Sequence, residues 1–147
     1  MFRSFMPLAL EAARAAGLRG EVPVGAVVSR GADVVAVEGN RMRELGDPTG
    51  HAEMLAIRAA CAALGLDRLT GCALWVTLEP CAMCAGAIAH ARLDRLHFGA
   101  ADPKSGGVLH GARVFAHPQA HHRPELHDGI DAEASAALLR EFFAGRR

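Results

Sequence analysis

The 147-residue sequence contains no tyrosine, one tryptophan and six phenylalanines, so aromatic side chains can fill little of its interior. Alanine, valine and leucine must supply most of the core, which suits closely packed layers of helices and sheet. The formal net charge is zero because 16 basic residues balance 16 acidic ones. Proteins that bind nucleic acid indiscriminately usually carry a basic excess, so this balance argues against that class but leaves room for a local basic patch.

Long hydrophobic runs are also missing, since charged residues or glycines interrupt each one, and we expect no membrane span. The stretch Met1–Pro7 lacks the apolar core and the cleavage site of a signal peptide. We therefore expect a cytoplasmic protein with reduced thiols. The cysteines are Cys61, Cys72, Cys81 and Cys84. In a reducing compartment a close cysteine pair indicates metal binding or catalysis more often than a disulfide.

Hydrophobic periodicity predicts alternating helices and strands. The predicted helices cover residues 4–16, 51–64, 80–92 and 132–144. The predicted strands cover residues 22–28, 34–37, 72–78, 95–99 and 125–127, with the first two joined as a hairpin. Alternation of this kind predicts one sheet with helices on both faces. No repeat, low-complexity tract or linker divides the chain, so we expect residues 1–147 to form a single domain.

Gly25 lies at the centre of the first predicted strand, within an apolar run. A glycine at such a position marks the close approach of backbone or ligand, or else a bulge, and the sequence leaves both alternatives open. The polar connection 38–50 then leads directly into His51, and loops of this type often carry functional residues.

His51, Cys81 and Cys84 form a candidate zinc site. A catalytic zinc usually takes three protein ligands and leaves the fourth position for water. Cys81 and Cys84 are three residues apart, so a helix places both on one face. If Pro80 opens that helix, both thiols lie in its first turn, where the positive end of the helix dipole favours the thiolate form that binds metal.

Glu53 is the candidate proton carrier. In a regular helix His51 and Glu53 would point to opposite sides, so His51 must lie at the helix boundary if the two are to share a pocket. A zinc ion in such a site lowers the pKa of its water from ~16 toward ~7. A nearby carboxylate can accept that proton and pass it to a ring nitrogen or a departing amine.

Other interpretations of these motifs need to be weighed. A Cys-x-x-Cys pair alone also occurs in redox sites and in structural zinc sites. A structural zinc would need a fourth ligand, but Cys61 and Cys72 lie in apolar runs typical of small core residues. His-x-Glu followed ~25–30 residues later by Pro-Cys-x-x-Cys is the signature of zinc deaminases.

With these motifs the chain resembles the cytidine deaminase superfamily and, more closely, the bacterial tRNA-specific adenosine deaminases. The resemblance covers nearly the whole chain, and its closest stretches are residues 21–27, 47–49, 51–53, 76–88, 98–100 and 138–147. It implies a three-layer α/β/α sandwich with a five-stranded mixed sheet, one Zn²⁺ per subunit and a homodimer. It also implies hydrolytic deamination of adenosine to inosine at the wobble position of a tRNA anticodon loop, by zinc-activated water.

The same resemblance assigns roles to individual residues. It matches His51, Cys81 and Cys84 to the zinc ligands and Glu53 to the proton shuttle. The remaining matches are substrate contacts: Val24 and Ala52 line the base pocket, Asn40 contacts the flipped base, the backbone at Pro80 faces the reacting amine, Asp102 and Lys104 meet the anticodon strand, and Arg146 and Arg147 lie near phosphates.

Some positions depart from the family or have plainer interpretations. His121 stands where the family usually has an asparagine, and Ala101 lacks a basic residue that some members carry. Asn40 could instead stabilise a turn. Phe142 and Phe143 are more typical of core residues than of stacking platforms. The other plain interpretations are solvated charge for Lys104, Arg146 and Arg147 and loop or surface positions for His110, His117, His121, His122 and His127.

Two rival functions remain open from the sequence. The nearer one is the same zinc chemistry on a free base, nucleoside or nucleotide of the guanine or cytidine type. The other is a non-catalytic, zinc-stabilised RNA-binding module. Glu53 separates catalysis from the module, because a purely structural metal site has no use for an acidic neighbour.

Overall fold

The computed structural model describes residues 3–146, and one sheet runs through their centre. Its strands are β1 Gly25–Arg30, β2 Asp33–Gly39, β3 Cys72–Leu78, β4 Arg95–Ala100 and β5 Glu125–His127. They lie in the order β2-β1-β3-β4-β5. β1 pairs antiparallel with both β2 and β3, whereas β3, β4 and β5 run parallel to one another. The expected five-stranded mixed sheet is therefore confirmed.

Helices cover both faces of the sheet. They are α1 Met6–Leu18, α2 Met42–Leu45, α3 Ala52–Leu64, α4 Ala82–Ala91 and α5 Ala132–Ala144, with a short 3-10 turn at Val114–Ala116. α1 and α5 pack on one face and contact each other, while α3 and α4 pack together on the other. This confirms the three-layer α/β/α sandwich. Within residues 3–146, none of the helices is both long and apolar enough to cross a membrane.

Side chains that alternate along the strands divide the core into two parts. Val27 and Trp75 point toward α1 and pack with Met6. Val76 and Phe98 are fully buried in the larger part, beneath α3 and α4. Many buried helical positions on both faces are alanines, and short side chains let the helices lie close to the sheet.

The carboxyl end of β3 forms the edge where the candidate site lies. β3 leads through Pro80 into α4, so the first turn of α4 sits at the carboxyl ends of the parallel strands. Because β1 is antiparallel to β3, the start of β1 lies at the same edge, and the Gly25 N–H donates to Thr77 Oγ1 at 3.2 Å. In open α/β sheets, ligands bind at this edge.

The first strand starts later than the predicted Val22. The Val24 N–H donates to the Val22 carbonyl at 2.8 Å, and the Val24 carbonyl accepts the Asn40 N–H at 3.1 Å. These bonds turn the chain before it joins the sheet. The predicted strand 22–28 is therefore Gly25–Arg30, displaced by local hydrogen bonds that its composition does not reveal.

Two predicted helices also have different boundaries. The first begins at Met6, whose N–H is accepted by the Ser4 hydroxyl at 3.2 Å, and it continues to Leu18. The helix predicted from Pro80 begins at Ala82, because Cys81 retains an extended backbone with φ −71° and ψ 174°. Pro80 thus precedes the cap residue and does not open the helix itself.

Gly25 marks the close approach of another backbone segment. A Cβ at this position would overlap the Ala9 carbonyl oxygen and lie 2.7 Å from the Ala13 amide nitrogen, both in α1. β1 can therefore lie against α1 only without a side chain here. Of the two alternatives left open by the sequence, the structure selects close approach, with the α1 backbone as the neighbour.

Gly25→Ala is expected to lower the free energy of unfolding by about 2 kcal/mol or more. The new Cβ would meet backbone atoms of α1, which cannot move aside as a flexible side chain can. Gly17→Ala in α1 is the matched control, because its Cβ would make an ordinary 3.4 Å contact with Pro23 Cβ. That change should leave stability unaltered or raise it by up to about 1 kcal/mol. Urea unfolding of both variants measures the difference, and equal stabilities would contradict the packing described.

Candidate metal centre and active site

Two helix starts converge at the edge formed by β3. His51 is the N-cap residue of α3, with an extended backbone of φ −73° and ψ 149°. Cys81 is the N-cap residue of α4, and Cys84 follows in the first turn of the same helix. The expectation that His51 lies at the helix boundary is confirmed. His51 and Glu53 can therefore face one pocket, although a regular helix would separate them.

The donor atoms of three side chains lie at metal-ligand spacing. His51 Nδ1 is 3.6 Å from Cys81 Sγ and 3.5 Å from Cys84 Sγ, and the three donor atoms all lie within 4.8 Å of one another. A tetrahedral zinc with Zn–N of about 2.1 Å and Zn–S of about 2.3 Å holds its nitrogen and sulfur ligands about 3.6 Å apart. The donor set and its spacing therefore fit zinc.

The two remaining cysteines do not join this group. All four cysteines are free thiols, with Cys72 buried and Cys61 half-buried. Within residues 3–146, the cluster of metal-binding side chains consists of His51, Cys81 and Cys84 alone. The arrangement offers three candidate ligands, which is the number typical of a catalytic rather than a structural zinc.

Charge at the site is governed by burial and by contacts among the ligands themselves. A hydrogen bond from the Cys84 thiol, reinforced by the His51 ring, lowers the pKa of Cys81 to about 4. The same contact with Cys81, together with burial, raises the pKa of Cys84. Cys81 is thus readily a thiolate, while Cys84 keeps its proton and donates it to Cys81 in a hydrogen bond. Metal binding displaces such protons from its ligands.

Glu53 lies directly beside the donor group. Its side chain is buried, and burial raises the pKa of Glu53 to about 6, while interactions with His51 and the Cys84 thiol oppose the rise. A carboxyl group whose pKa lies near neutrality can both accept and release a proton at physiological pH. The arrangement is therefore suited to proton transfer next to a bound metal ion.

Asn40 fixes the entry to α3. Its Oδ1 accepts the Ala52 N–H at 2.7 Å, and its Nδ2 donates to the Val22 carbonyl at 3.2 Å. The buried amide therefore links the loop before His51 to the chain segment leading into β1. Asn40 therefore stabilises this segment of the chain, which is one of the two roles that the sequence left open. The Val22 contact uses only one of the two Nδ2 hydrogens. Val24, Ala52 and Pro80, which were also expected to line the site, are buried, and Ala52 and Pro80 directly adjoin His51 and Cys81 in the chain.

Two buried carboxylates that bind backbone N–H groups were missed by sequence reasoning. Glu21 accepts the N–H groups of Arg43 at 3.2 Å and Glu44 at 2.9 Å, which are at the start of the unpredicted helix α2. Glu79 accepts the Asp102 N–H at 3.0 Å and so holds the loop that carries Lys104. For Glu79, the one available signal was an ionisable residue directly after an apolar strand.

The outer residues of the expected substrate surface are exposed or half-exposed. Asp102 is half-buried and Lys104 is exposed. Arg146 lies 3.6 Å above the Phe142 ring, while Arg147 falls outside the described residues. Phe143 is 54% exposed, so its interpretation as a core residue is wrong. The His121 carbonyl accepts Arg92 Nη1 at 2.6 Å, which ties its loop to the end of α4.

Comparison with known proteins gives a consistent result. A family profile of MafB19-like deaminases matches residues 2–147. The tRNA-specific adenosine deaminase of Agrobacterium fabrum is 54% identical over 97% of this chain and 94% of its own length.

Solved structures extend the likeness to the fold. A structure from a study of A-to-I editing by tRNA:A34 deaminases at the wobble position of transfer RNA superposes with a TM-score of 0.91 and 54% identity, covering 92% of this chain and 98% of that one. A guanine deaminase from Nitrosomonas europaea superposes with a TM-score of 0.82 and 26% identity, covering 95% and 82%.

These likenesses agree with the structure on one family: the sheet order, the spacing of the three donor atoms and the buried acid beside them are all those expected of a zinc deaminase. The chain is a member of the MafB19-like deaminase family, and within it of the tRNA-specific adenosine deaminases.

Proposed function

We propose that this protein converts adenosine to inosine by hydrolysis at the wobble position of a tRNA anticodon loop. The observation that carries the proposal is the group of His51, Cys81 and Cys84 at zinc-ligand spacing, with buried Glu53 beside it. The support for the RNA substrate is the 54% identity with a tRNA-specific adenosine deaminase along almost the whole chain.

His51, Cys81 and Cys84 would hold one Zn²⁺ per subunit. When bound, the ion supplies Lewis acidity that makes a water molecule nucleophilic at neutral pH. Glu53 would accept a proton from the attacking water and hand it to the base and the departing amine, so that adenosine and water become inosine and ammonia. Burial keeps the Glu53 carboxyl away from bulk solvent, which directs the proton between water and substrate.

The residues around the centre would bind the unstacked base. Val24 and Ala52 form apolar walls, Asn40 offers its free amide hydrogen, and the backbone at Pro80 faces the departing amine. A base in a single-stranded loop leaves its stack at little cost, which favours an anticodon loop as substrate. Asp102, Lys104, Arg146 and Arg147 would meet the RNA strand outside the pocket.

The proposal extends to assembly and location. One continuous sheet with helices on both faces supports a single deaminase domain over residues 1–147. We propose that the domain pairs as a homodimer, as the family resemblance implies. Four free thiols and a tRNA substrate support a cytoplasmic location.

A second candidate function is deamination of a free base, nucleoside or nucleotide of the guanine or cytidine type. The likeness to the guanine deaminase of Nitrosomonas europaea favours it, since the two chains share the fold at 26% identity. A non-catalytic RNA-binding module is disfavoured by Glu53, whose buried carboxyl contributes nothing to a structural metal site.

The first test compares substrates directly. Purified protein should produce inosine from an anticodon stem-loop RNA carrying adenosine at the wobble position, and none from free adenosine, guanine or cytidine at equal concentration. Chromatography of nuclease-digested RNA measures the product. Turnover of the free compounds alone would replace the tRNA function with the second candidate.

Glu53→Ala is expected to abolish deamination while leaving bound zinc and the fold intact, because proton transfer of this type contributes ~10²–10⁴ in rate. Elemental analysis and single-turnover kinetics measure the two properties. Glu11→Ala, at an exposed position in α1, is the matched control and should behave as the parent protein. Full activity in the Glu53 variant would exclude Glu53 as the proton carrier.

Loss of one ligand should empty the metal centre. Cys84→Ser is expected to reduce zinc from one ion per subunit to little or none and to lower the melting temperature, since ligand loss weakens both metal binding and the fold it supports. Cys61→Ser removes a thiol outside the cluster and should retain the full zinc content. A fully loaded Cys84 variant would show that another side chain takes the metal.

A further inference from the structure

Glu79 is a buried carboxylate with no assigned role in the chemistry. It lies between β3 and the Pro80-Cys81 step into α4, and the whole residue is 2% exposed. Burying a charge is costly unless hydrogen bonds compensate it, so a carboxylate here must meet a matching set of donors.

The loop 101–111 supplies those donors. Glu79 Oε1 accepts the Asp102 N–H at 3.0 Å and lies 2.8 Å from His110 Nδ1. Glu79 Oε2 accepts the N–H groups of Val108 at 3.1 Å, Leu109 at 2.9 Å and His110 at 3.1 Å. One carboxylate therefore binds both ends of the loop. An apolar residue in its place would leave four backbone donors without this partner.

Glycines let the loop close on this carboxylate and on the metal centre. A Cβ at Gly106 would overlap the Glu79 side chain, and a Cβ at Gly107 would lie 2.6 Å from Ala82 Cα. The Gly107 N–H donates to the Pro80 carbonyl at 2.8 Å. The loop thus rests directly on the first turn of α4, one residue from the ligand Cys81.

Asp102 passes this anchoring on to the exposed part of the loop. Its Oδ1 accepts the N–H groups of Lys104 at 3.2 Å and Ser105 at 3.0 Å, and its carbonyl accepts the Gly106 N–H at 2.8 Å. The hydrogen bond from the Asp102 N–H to Glu79 fixes the residue at which this turn begins. The backbone position of Lys104 therefore depends on a carboxylate that is itself buried.

We propose that Glu79 is a positioning residue for the RNA substrate: it clamps the loop 101–111 onto the start of α4, so that Asp102 and Lys104 are held ready to meet the anticodon strand beside the metal centre. This inference rests on the proposed function. It assigns specificity for the polynucleotide to a side chain that does not touch the substrate.

Glu79→Gln is the sharpest variant, because the amide keeps one oxygen and replaces the other by an N–H₂ donor. If the retained oxygen stays at the Oε2 position, the bonds to Val108, Leu109 and His110 survive. The new donor then faces the Asp102 N–H and repels it, while His110 Nδ1 can accept instead. The substitution therefore releases mainly the Asp102 end of the loop.

Steady-state kinetics on the anticodon stem-loop should show KM raised ~10-fold by Glu79→Gln with kcat changed less than ~3-fold, since binding is lost rather than chemistry. Zinc content should match the parent protein. Glu133→Gln, an exposed charge-matched change in α5, is the control and should leave both constants unchanged. His110→Ala, which removes one of the five donors, should raise KM by a smaller factor, ~2–3-fold.

A double-mutant cycle separates positioning from general stability. In an Asp102→Ala background, Glu79→Gln should raise KM less than ~2-fold further, because residues that act through one another are non-additive. A role confined to stability would give the same factor in both backgrounds. If Glu79→Gln fails to fold, the cycle between His110→Ala and Asp102→Ala applies the same criterion.

The outcomes are distinct. Unchanged KM in Glu79→Gln or, where that variant does not fold, in His110→Ala overturns the inference while the proposed function stands. Additive effects in the cycle, or loss of kcat and zinc with KM unaltered, overturn it as well. A parent protein that neither binds nor deaminates the stem-loop overturns the proposed function, and the inference falls with it.

Discussion

The rest of this structure is arranged so that the His51 imidazole nitrogen lies close to the sulfurs of Cys81 and Cys84. These atoms belong to the starts of two different helices, and they meet at 3.5 and 3.6 Å because the sheet brings both starts to one edge. The antiparallel pairing of β1 with β3 and the parallel crossover from β3 to β4 create that edge. A shift of either helix by one turn, about 5.4 Å, would separate the donors completely.

Buried polar side chains hold the surrounding loops in register with this centre. Asn40 ties the approach to His51 to the segment before β1, Glu21 caps the short helix α2, and Glu79 clasps the loop 101–111. Each uses backbone N–H groups as donors, which compensates the cost of burial. A few hydrogen bonds from buried side chains thus connect the loops to the sandwich, and substrate recognition can depend on residues that never contact substrate.

Local patterns predicted much of this arrangement, and its long-range bonds could not be predicted. Periodicity revealed the strands and the long helices because each depends on nearby residues. The donor set was found because His51 and Glu53 form a His-x-Glu motif and Cys81 and Cys84 a Pro-Cys-x-x-Cys motif, which together form a recognisable pattern. The start of β1 was misplaced because the bonds that Val24 makes to Val22 and to Asn40, the residue after β2, are backbone bonds that the composition does not reveal. The partners of Glu21 and Glu79 lie 22 to 31 residues away, and apart from the His110 ring they are backbone amides, which carry no mark in the sequence.

The zinc coordination itself tests the account most directly. X-ray absorption spectroscopy of the protein as purified should show a first shell of two sulfurs at about 2.3 Å and two nitrogen or oxygen atoms at about 2.0–2.1 Å, as expected for His51, Cys81, Cys84 and one open position filled by water. A shell of four protein ligands would indicate a closed, structural site. A protein that binds no metal would contradict the account altogether.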